Sequence, residues 1–95
     1  MPRLNLHLLS DSTGETLEAI AKAALAQFEG ADVVRHFWPM VRSQQHLDRI
    51  MGDIADNPGL VFYTMASTEL RGKLVERCRT LGLPVVSVLD SAVEA

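Results

Sequence analysis

The run Ser10-Asp11-Ser12-Thr13-Gly14-Glu15-Thr16 holds the densest collection of reactive and ligand-binding side chains in this 95-residue chain. It follows the apolar segment Leu4–Leu9 and leads into a helical pattern that begins at Glu15. Backbone N–H groups of a glycine-containing turn, with the unpaired N–H groups and dipole of a helix N-terminus, favour a bound anion. Ser10, Ser12, Thr13, Gly14, Glu15 and Thr16 are therefore the candidate phosphate contacts, the hydroxyls adding donors. The same residue types are also the preferred helix caps, and Ser12 with Glu15 has the S-x-x-E spacing of a capping box, so pure capping is the competing reading. Asp11 and Glu15 oppose close approach of an anion unless they face away, hold a metal ion or exchange a proton. Asp11 is the candidate for an acid/base or metal contact.

Further candidates depend on where the strands end. If the strands are parallel, their C-terminal ends open on one edge, where ligands bind. That edge receives Arg42 and Ser43 after the second strand, Ser67 and Thr68 after the third, and Asp90 and Ser91 after the fourth. A Walker A sequence, G-x-x-x-x-G-K-S/T, would mark a nucleotide triphosphate site, but Gly72-Lys73 is followed by Leu74 and lacks the earlier glycine. His7, His36 and His46 have no ligand-like spacing to one another or to Cys78, so structural or solvated roles are expected and no metal site is assigned. Arg71, Lys73, Arg77 and Arg79 with Glu69 and Glu76 read as a solvated helix face. Trp38 reads as a packing anchor, with stacking on a planar ligand as the alternative.

The elements that must position these residues alternate regularly. Leu4–Leu9 reads as a strand, and Leu17, Ile20, Ala21, Ala24, Leu25 and Phe28 form one stripe of a helix closed by Gly30. Val33–Trp38 is a second strand, followed by the stripe Leu47, Ile50, Met51, Ile54 ending at Asn57-Pro58-Gly59. Leu60–Met65 is a third strand, followed by Leu70, Leu74, Val75, Cys78 and Leu81 ending at Gly82, and Val85–Leu89 is a fourth. This βαβαβαβ alternation predicts an α/β fold with a parallel sheet. The apolar runs Leu60-Val61-Phe62 and Val85-Val86 suit strands buried on both faces, whereas Arg35 and His36 suit an edge. Strand order 2-1-3-4 follows, half of a flavodoxin-like sheet. Ser91 and Glu94 repeat the capping-box spacing just before the sequence stops, which reads as truncation of one N-terminal domain over residues 1–95.

Composition narrows the function classes. The chain is 47% hydrophobic and 22% charged, as in a soluble globular protein. Nine Lys and Arg against 12 Asp and Glu give a net charge of -3, so no nucleic-acid partner is expected. No apolar run approaches the ~20 residues of a membrane span, so no membrane association is expected. The single Cys78 falls at a core spacing, as in a reducing, cytoplasmic setting.

The run Leu8-Leu9-Ser10-Asp11-Ser12-Thr13-Gly14-Glu15-Thr16, with Ala24-Leu25-Ala26-Gln27-Phe28, resembles the opening of the bacterial regulatory proteins of phosphoenolpyruvate synthase and pyruvate, phosphate dikinase. Tyr63-Thr64-Met65, Glu69-Leu70-Arg71 and Pro84 to Asp90 extend the similarity over essentially the whole chain. The resemblance implies a bifunctional enzyme: a serine/threonine kinase that uses ADP to inactivate the dikinase or synthase, and a phosphate-dependent pyrophosphorylase that reverses this. It implies ADP or ATP and phosphate as ligands of the full-length protein. The family's P-loop kinase domain is absent from this chain, so no catalytic residue is assigned and the 95 residues alone are expected to be inactive. The oligomeric state is left open, a homo-oligomer included. Two other readings compete: a flavodoxin-like electron-transfer module holding FMN at Ser12–Thr16 under Trp38, and a non-catalytic interaction domain.

Overall fold

The computed structural model describes residues 3–27 and 32–88. Its elements run β1 (Arg3–Ser10), α1 (Glu15–Leu25), β2 (Asp32–Trp38), α2 (Gln44–Asp56), β3 (Gly59–Thr64), α3 (Thr68–Leu81) and β4 (Val85–Ser87). The strands form one sheet in the order β2-β1-β3-β4, all pairs parallel, as the alternation predicts. β1 lies inside it, with Leu8 level with Phe37 on one side and Phe62 on the other.

Strand alternation sorts the core into two layers. Leu6 and Leu8 point to one face and meet Leu17 and Ala21 of α1, with Leu60 and Phe62 beside them. Leu9, Val61 and Tyr63 point to the other and meet Leu47, Ile50, Met51 and Ile54 of α2 and Leu70, Leu74 and Cys78 of α3. Burial pushes the Cys78 thiol up to about 11, so it packs as a small apolar group. The helices on the second face begin on caps that the sequence dictates: Ser43 Oγ accepts the His46 N–H at 3.1 Å and Ser67 Oγ accepts the Leu70 N–H at 3.2 Å. α3 stops at Gly82, whose φ of 73° suits a residue without Cβ.

Two expectations need correction and others fall outside the described residues. The stripe on α1 is narrower than its spacing suggests, for Leu17 and Ala21 are buried while Ile20 is 39% exposed. Leu25 continues the Leu17–Ala21 line at i, i+4, i+8 and is half-buried against the same cluster. Val86 of β4 is 43% exposed, against the expectation of burial on both faces, because no described helix covers that corner. Phe28, Gly30, Leu89 and the Ser91/Glu94 capping spacing lie outside the described residues.

A polar network crosses the second face where β1 would otherwise be apolar. His7 is fully buried, and its Nε2 lies 2.8 Å from the Asn57 carbonyl at the end of α2. Trp38 Nε1–H donates to His7 Nδ1 at 3.3 Å. A carbonyl only accepts and an indole only donates, so the ring is the neutral tautomer with its proton on Nε2. His36 stacks on it at 4.5 Å and bonds Asn5 Oδ1 at 3.0 Å, while Asn5 Nδ2 donates to the Pro58 carbonyl at 3.3 Å. Among the described residues no buried side-chain nitrogen or oxygen lacks a partner.

Burial, more than any other influence, pulls the His7 pKa below 6.5; the Asn57 carbonyl opposes this, neighbouring His36 adds to it and Asp53 opposes it. The unfolded chain therefore binds a proton that the native state refuses. Stability is complete above pH 6.5 and falls as the pH drops below it toward the depressed native value. Urea midpoints taken across that range should show an acid limb that His7→Gln flattens, since an amide can satisfy both Trp38 and Asn57. A second outcome concerns Gly59, where a Cβ would sit 2.0 Å from the Asn5 carbonyl oxygen. Gly59→Ala should cost at least about 2–3 kcal/mol in denaturant unfolding, because backbone rather than a side chain must yield.

Candidate functional site

The site is built where β1, β2 and β3 end. Ser10, the last residue of β1, is fully buried, and its hydroxyl is saturated. Ser10 Oγ accepts from the Ser12 N–H at 3.1 Å and from Thr64 Oγ1 at 3.2 Å, and lies 3.1 Å from Ser12 Oγ. The Ser10 carbonyl accepts the Val41 N–H at 2.8 Å, and that of Ser12 accepts the Met40 N–H at 2.9 Å. Met40 makes this second bond from the left-handed region, φ 58°, which is costly for a side chain of its size. The loop after β2 is thereby clasped to the loop after β1.

Asp11 ties in the third strand. Its N–H donates to the Thr64 carbonyl at 3.3 Å, and its Oδ2 accepts the Ala66 N–H at 2.8 Å. Its carbonyl accepts Arg42 Nε at 2.8 Å. One edge of the Asp11 carboxylate is therefore committed to holding the β3–α3 loop. Arg42, anchored by Nε, keeps its terminal nitrogens without another bond among the described residues.

These loops enclose an open cleft of about 520 Å³ between the first turns of α2 and α3, lined by Asp11, Ser12, Arg42, Ser43, Ser67 and Glu69 among others. Two helix N-termini and one guanidinium face it against two carboxylates. The dipoles and Arg42 attract anions, Asp11 and Glu69 limit how close one can come, and Glu69 is partly offset by the Gln44 amide it accepts from. Gln44 in turn accepts Lys73 Nζ at 2.8 Å, which brings a second cation to the rim. Gln44 was not singled out by sequence and Glu69 read only as part of a solvated helix face; their position in the first turn of each helix, just past a capping serine, is the signal that places them at the cleft.

The remaining candidates divide. Gly14, Thr13, Glu15 and Thr16 sit at the start of α1 and do not line this cleft; Thr13, Glu15 and Thr16 are exposed. The capping box is not formed. Gly14, φ 78°, is the N-cap, the helix has no side-chain cap, and Glu15 becomes its first residue. Ser12 is too early in the chain to cap, and its hydroxyl is turned to Ser10. Gly14 is required twice over, since a Cβ there would lie 2.6 Å from the Phe37 ring as well as strain the backbone. Thr68 lies outside the cleft, on a groove beside Tyr63 and Val75. Asp90 and Ser91 lie outside the described residues. Trp38 packs against the α2–α3 core with its N–H on His7, which leaves the packing role and not a flavin cover. Among the described residues no group of three or more His, Cys, Asp or Glu is placed to share a metal ion.

Comparison with known proteins gives the chain's family. Residues 6–95 match the family described as kinase/pyrophosphorylase. A protein of Novosphingobium aromaticivorans is 73% identical over 95 residues, one of Erythrobacter litoralis 64% and one of Rhizorhabdus wittichii 63%. All three are named, provisionally, pyruvate, phosphate dikinase regulatory proteins. The match takes in the whole of this chain but only 34%, 34% and 35% of theirs.

The geometry separates two roles for Asp11. If it only holds the loop, Asp11→Asn, which keeps an acceptor for the Ala66 N–H, should change stability little, and Asp11→Ala should cost about 1–2 kcal/mol in unfolding. A proton-transfer role would instead make the asparagine variant inactive and still stable. At Gly14 the two penalties are separable. Gly14→Ala should cost roughly 2–4 kcal/mol from left-handed strain plus overlap with Phe37, and Phe37→Ala in the same chain should recover only the overlap.

Proposed function

Because the chain belongs to the kinase/pyrophosphorylase family, we propose that it forms the first part of a bifunctional enzyme regulating pyruvate, phosphate dikinase or phosphoenolpyruvate synthase. In the forward direction a serine or threonine hydroxyl of the target takes a phosphoryl group from ADP, which leaves AMP. In the reverse direction inorganic phosphate attacks that phosphoryl group, releasing pyrophosphate and restoring the hydroxyl. The family match and the names of the relatives support a kinase-type regulator of the dikinase; the ADP donor, the serine/threonine acceptor and a cytoplasmic location are our reading.

The observation that carries a role for this region is the cleft between α2 and α3. Phosphoryl transfer asks a protein for positioning and for positive potential around non-bridging oxygens. Arg42 held by the Asp11 carbonyl, with the first turns of α2 and α3, offers both. We assign Arg42, Ser12, Ser43 and Ser67 to a phosphate contact, with Thr13, Gly14 and Thr16 as a second group at the head of α1. The nucleotide-binding P-loop of the family is not encoded in these 95 residues, so this cleft is assigned a contributing phosphate and no catalytic residue is named in it.

The test uses a polypeptide of the relatives' length with the dikinase as substrate. Arg42→Gln should raise the KM for phosphate in the pyrophosphorylase direction by roughly 10- to 100-fold, the worth of one charge-assisted hydrogen bond, at unchanged fold. An unchanged KM would remove the cleft from the reaction. Retention of phosphate and ADP affinity by a Thr13→Ala, Gly14→Ala double variant would likewise reduce the head of α1 to a structural turn.

A further inference from the structure

The two faces of the sheet are covered unequally. The crossover from β1 to β2 runs one way across the sheet and those from β2 to β3 and β3 to β4 run the other way. Right-handed connections therefore place α1 alone on one face and both α2 and α3 on the opposite one. On the α1 face Leu4 is 44% exposed and Val86 43% exposed, although both lie in strands. Leu60 and Phe62, half-buried, lie between them: Leu60 is level with Leu6 and Phe62 with Val86. The strip Leu4, Leu60, Phe62, Val86 carries no charge, and the one charged side chain of the described strand residues on that face is Arg35, across the sheet on β2.

Parallel sheets are stable with both faces covered, so an apolar strip beside a lone helix calls for an occupant. About two-thirds of the length of the relatives lies outside the match. Four partly exposed side chains fall far short of the roughly 800 Å² per partner that a stable dimer buries. They do fit the apolar stripe of one helix. We propose that, in a polypeptide of the relatives' length, a helix from the region beyond residue 95 lies beside α1 across Leu4, Leu60, Phe62 and Val86. This goes beyond the phosphoryl-transfer reading and does not depend on it.

Thiol reactivity, read site by site by peptide mass spectrometry, tests it, because Cys78, the one cysteine of these 95 residues, is buried beneath α3 with its thiol pushed up to about 11. In the long polypeptide, Leu4→Cys and Val86→Cys should react with a maleimide at least about tenfold more slowly than Ala55→Cys, on the exposed side of α2, while Cys78 stays silent. Reaction as fast as at Ala55→Cys, with Cys78 silent, would overturn the proposal. So would protection that disappears on dilution, which would make a second copy the occupant. Should Cys78 react, the variant is misfolded, and hydroxyl-radical oxidation of the unsubstituted long polypeptide decides instead. Leu4 and Val86 oxidised as fast as in urea would overturn the helix; oxidation slowed at every protein concentration would support it.

Discussion

The hydroxyl of Ser10 is the point on which the functional edge depends. It is the last atom group of the central strand, out of reach of water, and it accepts two hydrogen bonds while lying within reach of a third partner. Its partners belong to the loop after β1 and to the end of β3, and its own carbonyl holds the loop after β2. Three loops that would otherwise move independently are referred to one buried residue. A buried hydroxyl stripped of its partners is costly, so these loops stay together or the strand end opens with them. Asp11 repeats the arrangement one residue later, nearer the solvent, and passes it on to Arg42.

Most of the architecture was legible because it depends on periodicity. Leu6 and Leu8 against Leu9, or Leu47, Ile50, Met51 and Ile54, announce their faces by spacing alone. Strand order followed from charge in β2 and its absence in β3. The capping box expected at the head of α1 does not form, because Ser, Thr, Asp and Gly serve both capping and tertiary bonding, and spacing cannot say which. Ser12 satisfies a cap motif in sequence, yet a partner on its own strand end takes its hydroxyl first. The split of the Ser10–Thr16 run between a cleft on one face and an exposed turn on the other is likewise tertiary. It depends on Asp11 reaching Ala66, 55 residues away.

His7 shows the same limit from the other side. A histidine inside an apolar strand reads as a nuisance to be solvated or paired, and nothing nearby in sequence names the pair. Its partners, Trp38 and Asn57, come from the next strand and from the end of the second helix. They occupy both ring nitrogens, so the residue is spent on structure.

α2 is thus fixed at both ends by different means. Ser43 caps it beside the cleft, and His7 holds the Asn57 carbonyl at its far end. At that far end one hydrogen bond joins His7 to the indole of Trp38, the only tryptophan in the 95 residues. The indole emission of that one side chain therefore reads the surroundings of His7 at the end of α2 farthest from the cleft.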